Sequence, residues 1–201
     1  MTEQQILPYG SWPSAISIEM AVGAARGLSE PRPDGADLYF LESRPEEAGR
    51  VVLVRRTPDG SLTDMAPELN VRTRVHEYGG GAWNVRGGVL VFSEFDDNRL
   101  LLKRSPDGAV EELVGDPALR FADIEIDLER DRAVAVLEDQ TESAIEARNL
   151  LVAVSLADGS MRELVTGHDF FSDPRLSPDG RHLAWLSWDF PNMPWDGTDL
   201  W

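Results

Sequence analysis

A Pro-Asp-Gly triplet recurs along this chain, at Pro33-Asp34-Gly35, Pro58-Asp59-Gly60, Pro106-Asp107-Gly108 and Pro178-Asp179-Gly180, with Ala157-Asp158-Gly159 as a close variant. Proline presets φ and glycine accepts positive φ, so each triplet reads as a tight turn. A short apolar or alternating run follows each one within a few residues. Asp59, Asp107 and Asp158 are separated by 48 and 51 residues, and Asp34 and Asp179 by 145, close to three such periods. A repeat of about 40–50 residues holding several strands is the signature of a β-propeller. One such unit cannot bury its own faces and has to stack on its neighbours.

Four strands per blade can be laid over the sequence, which predicts an all-β chain: a partial β-propeller of about three and a half four-stranded antiparallel blades. Residues 1–27 form a lead-in in which Ser14 or Ser17 can cap a short helix. Residues 28–201 form the incomplete propeller, with blades at about 28–65, 75–114, 121–165 and 170–201. The second blade is expected to open with a long innermost strand over 75–85. Second and third strands are rich in Val, Leu, Ile and aromatics, as buried strands are. Outer strands such as 109–114 carry more charge, which suits an edge that must not pair with other chains. The fourth blade runs through a strand at 181–187 and a loop at 188–198, and ends in what reads as its third strand. Known propellers close with roughly 4–8 blades, so the sequence reads as a fragment of a longer protein.

Composition narrows the function classes. The chain has 36 acidic residues against 19 Lys and Arg, a formal charge of −17. Phosphate binding needs clustered basic residues, so nucleic acid is not expected as a partner. Cysteine is absent, which removes disulfides, zinc–thiolate sites and a cysteine nucleophile. The start, Met1-Thr2-Glu3-Gln4-Gln5, has neither a basic region nor an apolar core, and no apolar run is long enough to span a membrane. A cytoplasmic protein with no membrane contact, no cofactor and no metal is the expectation. No Gly-x-Ser-x-Gly elbow, Gly-x-Gly-x-x-Gly turn or His-Glu-x-x-His helix occurs. With no nucleophile to activate, the chain alone is expected to hydrolyse neither peptides nor esters.

Two stretches concentrate chemistry-bearing side chains. The first is Arg72-Thr-Arg-Val-His-Glu-Tyr-Gly-Gly-Gly-Ala-Trp83. His76 can supply a proton donor, Glu77 a carboxylate for an ammonium group, and Tyr78 a hydrogen-bonding ring. Equally, this is what an innermost strand near a crowded axis looks like, with Gly79-Gly80-Gly81 permitting close backbone approach. The second crowds Trp188, Phe190, Met193 and Trp195 into one loop; such residues are enriched at interfaces, but also in self-packed loops. His168 and His182 match no metal-ligand spacing and read as structural. In an antiparallel blade, the turns between strands one and two and between three and four share one end. Loops between strands two and three, and crossovers between blades, share the other. The stretch beginning at 75 and the loop at 188–198 therefore belong to the same end, opposite the Pro-Asp-Gly turns.

These two stretches, with Tyr9-Gly10-Ser11-Trp12-Pro13-Ser14, carry a family resemblance. Val75-His76-Glu77-Tyr78-Gly79-Gly80-Gly81, and Trp188-Asp189 through Pro194-Trp195-Asp196-Gly197-Thr198, are its specific elements. From about Leu7 to its last residue the chain resembles the N-terminal propeller of prolyl-oligopeptidase-family serine peptidases, in the acylaminoacyl-peptidase and dipeptidyl-aminopeptidase-like branch. That resemblance implies a propeller joined to a C-terminal α/β-hydrolase domain with a Ser-Asp-His triad, the propeller limiting access to short peptides. The hydrolase half is not in this sequence, so no catalytic residue carries over. What the resemblance implies for this chain is a gating and docking role, with His76, Glu77, Tyr78, Trp188, Phe190 and Trp195 as the channel or interface candidates. The partners it implies are that hydrolase domain and, in the complete protein, short peptide substrates. The competing class is a non-catalytic binding or scaffold propeller.

Overall fold

In the computed structural model, residues 6–23, 25–143 and 145–201 are described. The fold is a run of antiparallel sheets arranged as propeller blades. The first sheet comprises Gly27–Asp34 (β1), Asp37–Arg44 (β2), Arg50–Arg56 (β3) and Leu62–Asp64 (β4). The second holds Trp83–Arg86 (β5), Val89–Ser93 (β6), Leu100–Lys103 (β7) and Val110–Val114 (β8). The third holds Leu119–Asp127 (β9), Arg132–Asp139 (β10), Arg148–Ser155 (β11) and Met161–Val165 (β12). The fourth is three-stranded, with Phe170–Leu176 (β13), Leu183–Trp188 (β14) and Asp199–Leu200 (β15). Within every sheet the strands pair in sequence order, and the first strands of successive sheets, β1, β5, β9 and β13, are neighbours around the axis. Ahead of them lies one short helix, Ile18–Val22 (α1), capped by the Ser17 hydroxyl, which accepts from Met20 N–H at 3.1 Å.

Burial follows the stacking. Ala133, Val134, Ala135 and Val136 on β10 are all inaccessible, because both faces of an inner sheet are covered by neighbours. Tyr39, Leu53 and Met65 of the first sheet pack with Trp83, Leu90 and Phe92 of the second. Val91 and Leu102 meet Phe121, Ile124 and Val152 between the second and third. A smaller cluster of Val136, Leu151 and Phe171 joins the third to the fourth. On β8 the residues Val110, Glu111 and Glu112 are exposed, as expected of an outer strand.

The turn aspartates do two different jobs. Asp59 accepts from the Thr57 hydroxyl at 2.5 Å and from Ser61 N–H at 3.1 Å, which holds its carboxyl down to about 2. Asp158 and Asp179 close their turns on Ser160 and on Ser177 and Arg181 in the same way. Asp34 instead reaches into the next sheet, accepting from Gly87 and Gly88 N–H at 2.8 and 2.7 Å.

The expected innermost strand over 75–85 is corrected by the structure. Only Trp83–Arg86 is strand, and residues 75–79 form a turn. His76, Glu77 and Gly79 have φ of 56°, 64° and 92°, and three left-handed residues in four cannot lie in a pleated ladder. Trp188, expected in a loop, is instead the last residue of β14 and is buried.

A second regularity sits at the axis. Glu30, Asp123 and Asp173 have φ of 50°, 51° and 50°, each at a register shift in β1, β9 or β13. These are β-bulges occupied by acidic residues. Asp123 uses both oxygens, accepting from Gly81 N–H at 2.7 Å and from Asp173 N–H at 3.1 Å. A Cβ on Gly81 would come within 2.9 Å of the Asp123 Oδ1, so glycine is required for this approach. One carboxylate thereby ties the inner ends of three successive sheets.

Candidate functional site

A cavity of about 1080 Å³ opens at the end of the sheets where the crossovers lie. Its walls come from three places far apart in sequence: the turn after β4, the β10–β11 connection, and the segment from the β12–β13 crossover to Phe190. His76, Glu77 and Tyr78 form one wall, with Arg120, Glu138 and Gln140 behind them. His168, Asp169, Phe170 and Phe190 form the other. Of the six candidates named from sequence, His76, Glu77, Tyr78 and Phe190 are brought together here. Trp188 lies beneath the surface, and Trp195, 76% exposed, stands outside the cavity lining.

The turn bearing His76 is held from the next sheet. His76 N–H donates to Glu138 Oε2 at 2.8 Å. The other carboxylate oxygen, Oε1, accepts from Arg120 Nη1 at 2.6 Å and Gln140 Nε2 at 3.0 Å. Within the turn, Glu77 N–H donates to Arg74 C=O, Tyr78 N–H to His76 C=O and Gly79 N–H to Val75 C=O, at 2.8–2.9 Å. These bonds satisfy the backbone that a strand ladder would otherwise engage. Glu77 and Tyr78 are left with their side chains exposed.

The His76 ring sits in an aromatic nest. Phe170 and Trp188 meet it edge-on with centroids at 5.3 and 5.5 Å, and Tyr78 is tilted against it at 5.7 Å. Phe170 and Trp188 are themselves stacked. Burial in this nest pushes the imidazole below its ordinary value of 6.5, while the Glu138 and Asp123 carboxylates pull the other way. Burial thus favours the neutral ring. Its Nε2 is buried without a partner among the described residues.

The opposite wall is buttoned by reciprocal aspartates. Asp189 Oδ1 accepts from Asp169 N–H at 2.8 Å, and Asp169 Oδ2 accepts from Phe190 N–H at 2.9 Å. His168 Nδ1 lies 3.0 Å from Asp189 Oδ2. The Asp169 amide and, second to it, the His168 ring hold the Asp189 carboxyl below the usual aspartate range. Phe190, 80% exposed, projects from this clasp.

Sequence reasoning missed Glu138, Arg120 and Asp123. A signal for Glu138 was present: an acidic residue ending the wholly apolar run Ala133-Val-Ala-Val-Leu137, where a buried carboxylate needs partners. Among the described residues no group of His, Asp and Glu is arranged to hold a metal ion, and no helix is long and apolar enough to cross a membrane.

No family profile matches the chain, and no curated protein does. Solved structures do. A crystal structure of puromycin hydrolase superposes with a TM-score of 0.85 at 36% identity, covering 96% of this chain and 32% of that one. A puromycin-hydrolyzing peptidase of Mycobacterium tuberculosis gives 0.83 at 36% identity, covering 98% of this chain and 33% of that one. The acylaminoacyl peptidase of Pyrococcus horikoshii gives 0.52 at 11% identity over 88% of this chain and 32% of that one, a likeness of fold alone. This chain thus spans about a third of the length of the puromycin-hydrolysing proteins it matches. Over nearly its whole length the chain matches the N-terminal propeller of puromycin hydrolase, a peptidase of the prolyl-oligopeptidase (S9) family.

Proposed function

We propose that this chain is the access-controlling propeller of a peptidase acting on short peptides and related aminoacyl amides, and that its cavity-bearing end faces a C-terminal α/β-hydrolase domain. The observation that carries this is the convergence of His76, Glu77, Tyr78 and Phe190 on one cavity of about 1080 Å³ at the crossover end. A cavity of that volume, in which Tyr78, Phe170 and Phe190 stand among a majority of polar and charged side chains, is of the size that takes small ligands. The identity to puromycin-hydrolysing proteins supports the same reading. Glu77 is the group placed to read an ammonium group, since its side chain is exposed at the cavity wall while its backbone is fixed by the turn. Phe190 and Trp195, both exposed, supply apolar surface for the facing domain or for substrate side chains.

Steady-state kinetics of the full-length peptidase test this. Glu77→Gln is expected to raise KM about tenfold, roughly 1.4 kcal/mol, for peptides with a free amino terminus. It should leave amino-blocked ones unchanged. Phe190→Ala and Trp195→Ala are expected to alter peptide selectivity or domain docking while the propeller stays folded. Asp107→Ala, in an exposed turn at the opposite end, is the control. If all four behave like the parent, the gating reading fails.

A further inference from the structure

Most arginines in this acidic chain lie against a carboxylate, as Arg44 does against Asp64 and Arg148 against Glu163. Arg72 and Arg74 do not. Among the described residues neither guanidinium has an ion-pair partner or a side-chain hydrogen bond; both stand over the Phe95 ring, 4.4 and 4.1 Å from its centroid. The placement follows from alternation. Val71, Thr73 and Val75 are buried on one side of the segment, which puts residues 72 and 74 together on the other. Phe95 is fixed beneath them, its N–H donating to Asn70 C=O at 2.9 Å.

A pocket of about 240 Å³ lies at this spot, bounded by Arg72, Arg74, Phe95, Glu77, Tyr78 and Arg120. Arg120 gives one nitrogen to Glu138, but its Nε is buried with no partner among the described residues. The pocket thus gathers two guanidiniums with unused donors and part of a third around one aromatic platform. Two cations on one ring repel each other, and an anion between them relieves that repulsion while taking up their donors. The arginine fork matches a planar carboxylate with two parallel hydrogen bonds. Glu77 in the same wall, and a formal charge of −17 on the chain, weigh against a doubly charged guest such as phosphate.

We propose that Arg72 and Arg74, over Phe95, bind the terminal carboxylate of a short peptide. This rests on reading the crossover end as the peptide-facing one, and gives that end a second charge-reading element beside Glu77. The pocket's selectivity is for acid over amide at the peptide's C-terminus.

Calorimetric titration of the 201-residue chain with N-acetyl-Gly-Gly-Gly, its C-terminal amide, Gly-Gly-Gly-amide and inorganic phosphate tests the assignment. The free acid is expected to bind at least tenfold more tightly than its amide, with affinity falling as salt rises. Arg72→Gln/Arg74→Gln should abolish that preference, and Arg181→Gln, an exposed arginine at the opposite end, should keep it. Circular dichroism checks folding; should the double variant not fold, Arg72→Lys and Arg74→Lys, which keep charge and lose the fork, are expected to weaken the preference. Equal binding of acid and amide, no binding of the acid, or a preference that survives the arginine changes overturns the proposal. Phosphate binding more tightly than the acid overturns the carboxylate assignment. Gly-Gly-Gly-amide has no carboxylate, so its response to Glu77→Gln reports on the ammonium reading separately.

Discussion

Glu138→Ala is expected to lower the free energy of unfolding by about 3–5 kcal/mol, the cost of removing one partner from a buried ion pair. The carboxylate is only 5% exposed and accepts from three donors: His76 N–H, Arg120 Nη1 and Gln140 Nε2. Truncation strands the Arg120 guanidinium, whose Nε already lacks a partner among the described residues, and frees the left-handed turn that carries His76 and Glu77. Glu138→Gln should cost less, because an amide oxygen in the place of Oε1 still accepts from Arg120 and Gln140. Replacing both members, Glu138→Leu with Arg120→Met, should recover much of the loss, since the attraction of a buried pair largely offsets its desolvation. Urea unfolding followed by tryptophan fluorescence measures all three. A loss below about 1 kcal/mol for Glu138→Ala would show the contact to be incidental, that being the scale of an ordinary hydrogen bond.

Trp83→Ala should cost a similar amount, about 3–5 kcal/mol, for a different reason. Trp83 is fully buried between the first two sheets, tilted against Tyr39 at 6.4 Å and covered on another side by the Arg32 guanidinium at 5.4 Å. Its loss leaves a void where the surrounding side chains come from both sheets, and neither sheet can close it without leaving its own ladder. Trp83→Phe keeps most of the volume and removes an indole N–H that has no partner among the described residues, so a smaller penalty is expected. Denaturation of both variants, with a cavity-sized hydrophobic probe such as benzene added to the alanine protein, separates lost burial from a true void. Equal costs for Ala and Phe would contradict the packing explanation.

The blades were legible because their punctuation is chemical. Pro-Asp-Gly states a turn by itself, and runs such as 132–138 and 149–156 can only be buried strands. The end of the molecule that carries the cavity was legible too, since strand order fixes which connections share an end. The turn at 75–79 was not. Besides Gly79, its left-handed residues are His76 and Glu77; histidine is only modestly enriched at positive φ and glutamate is not, so neither announces the turn. What holds them there is Glu138, 62 residues later in sequence. The acidic bulges escaped for the same reason: Ser29-Glu30-Pro31-Arg32 and Ser172-Asp173-Pro174-Arg175 look alike, but only the register shows that each interrupts its strand. The arginine pair over Phe95 depends on a loop from a different part of the chain. Long-range contacts, rather than weak local signals, account for what the sequence left hidden.

Asp123 stands between Gly81 and Asp173 with one oxygen for each. The spacing of the inner ends of the second and fourth sheets is therefore set by the span of a single carboxylate. Charge-assisted hydrogen bonds of this kind are strong and directional, and widening the axis on this side would have to break one of them first. The inner ends of these three sheets are thus tied to one another by a polar clasp, and not by apolar packing alone.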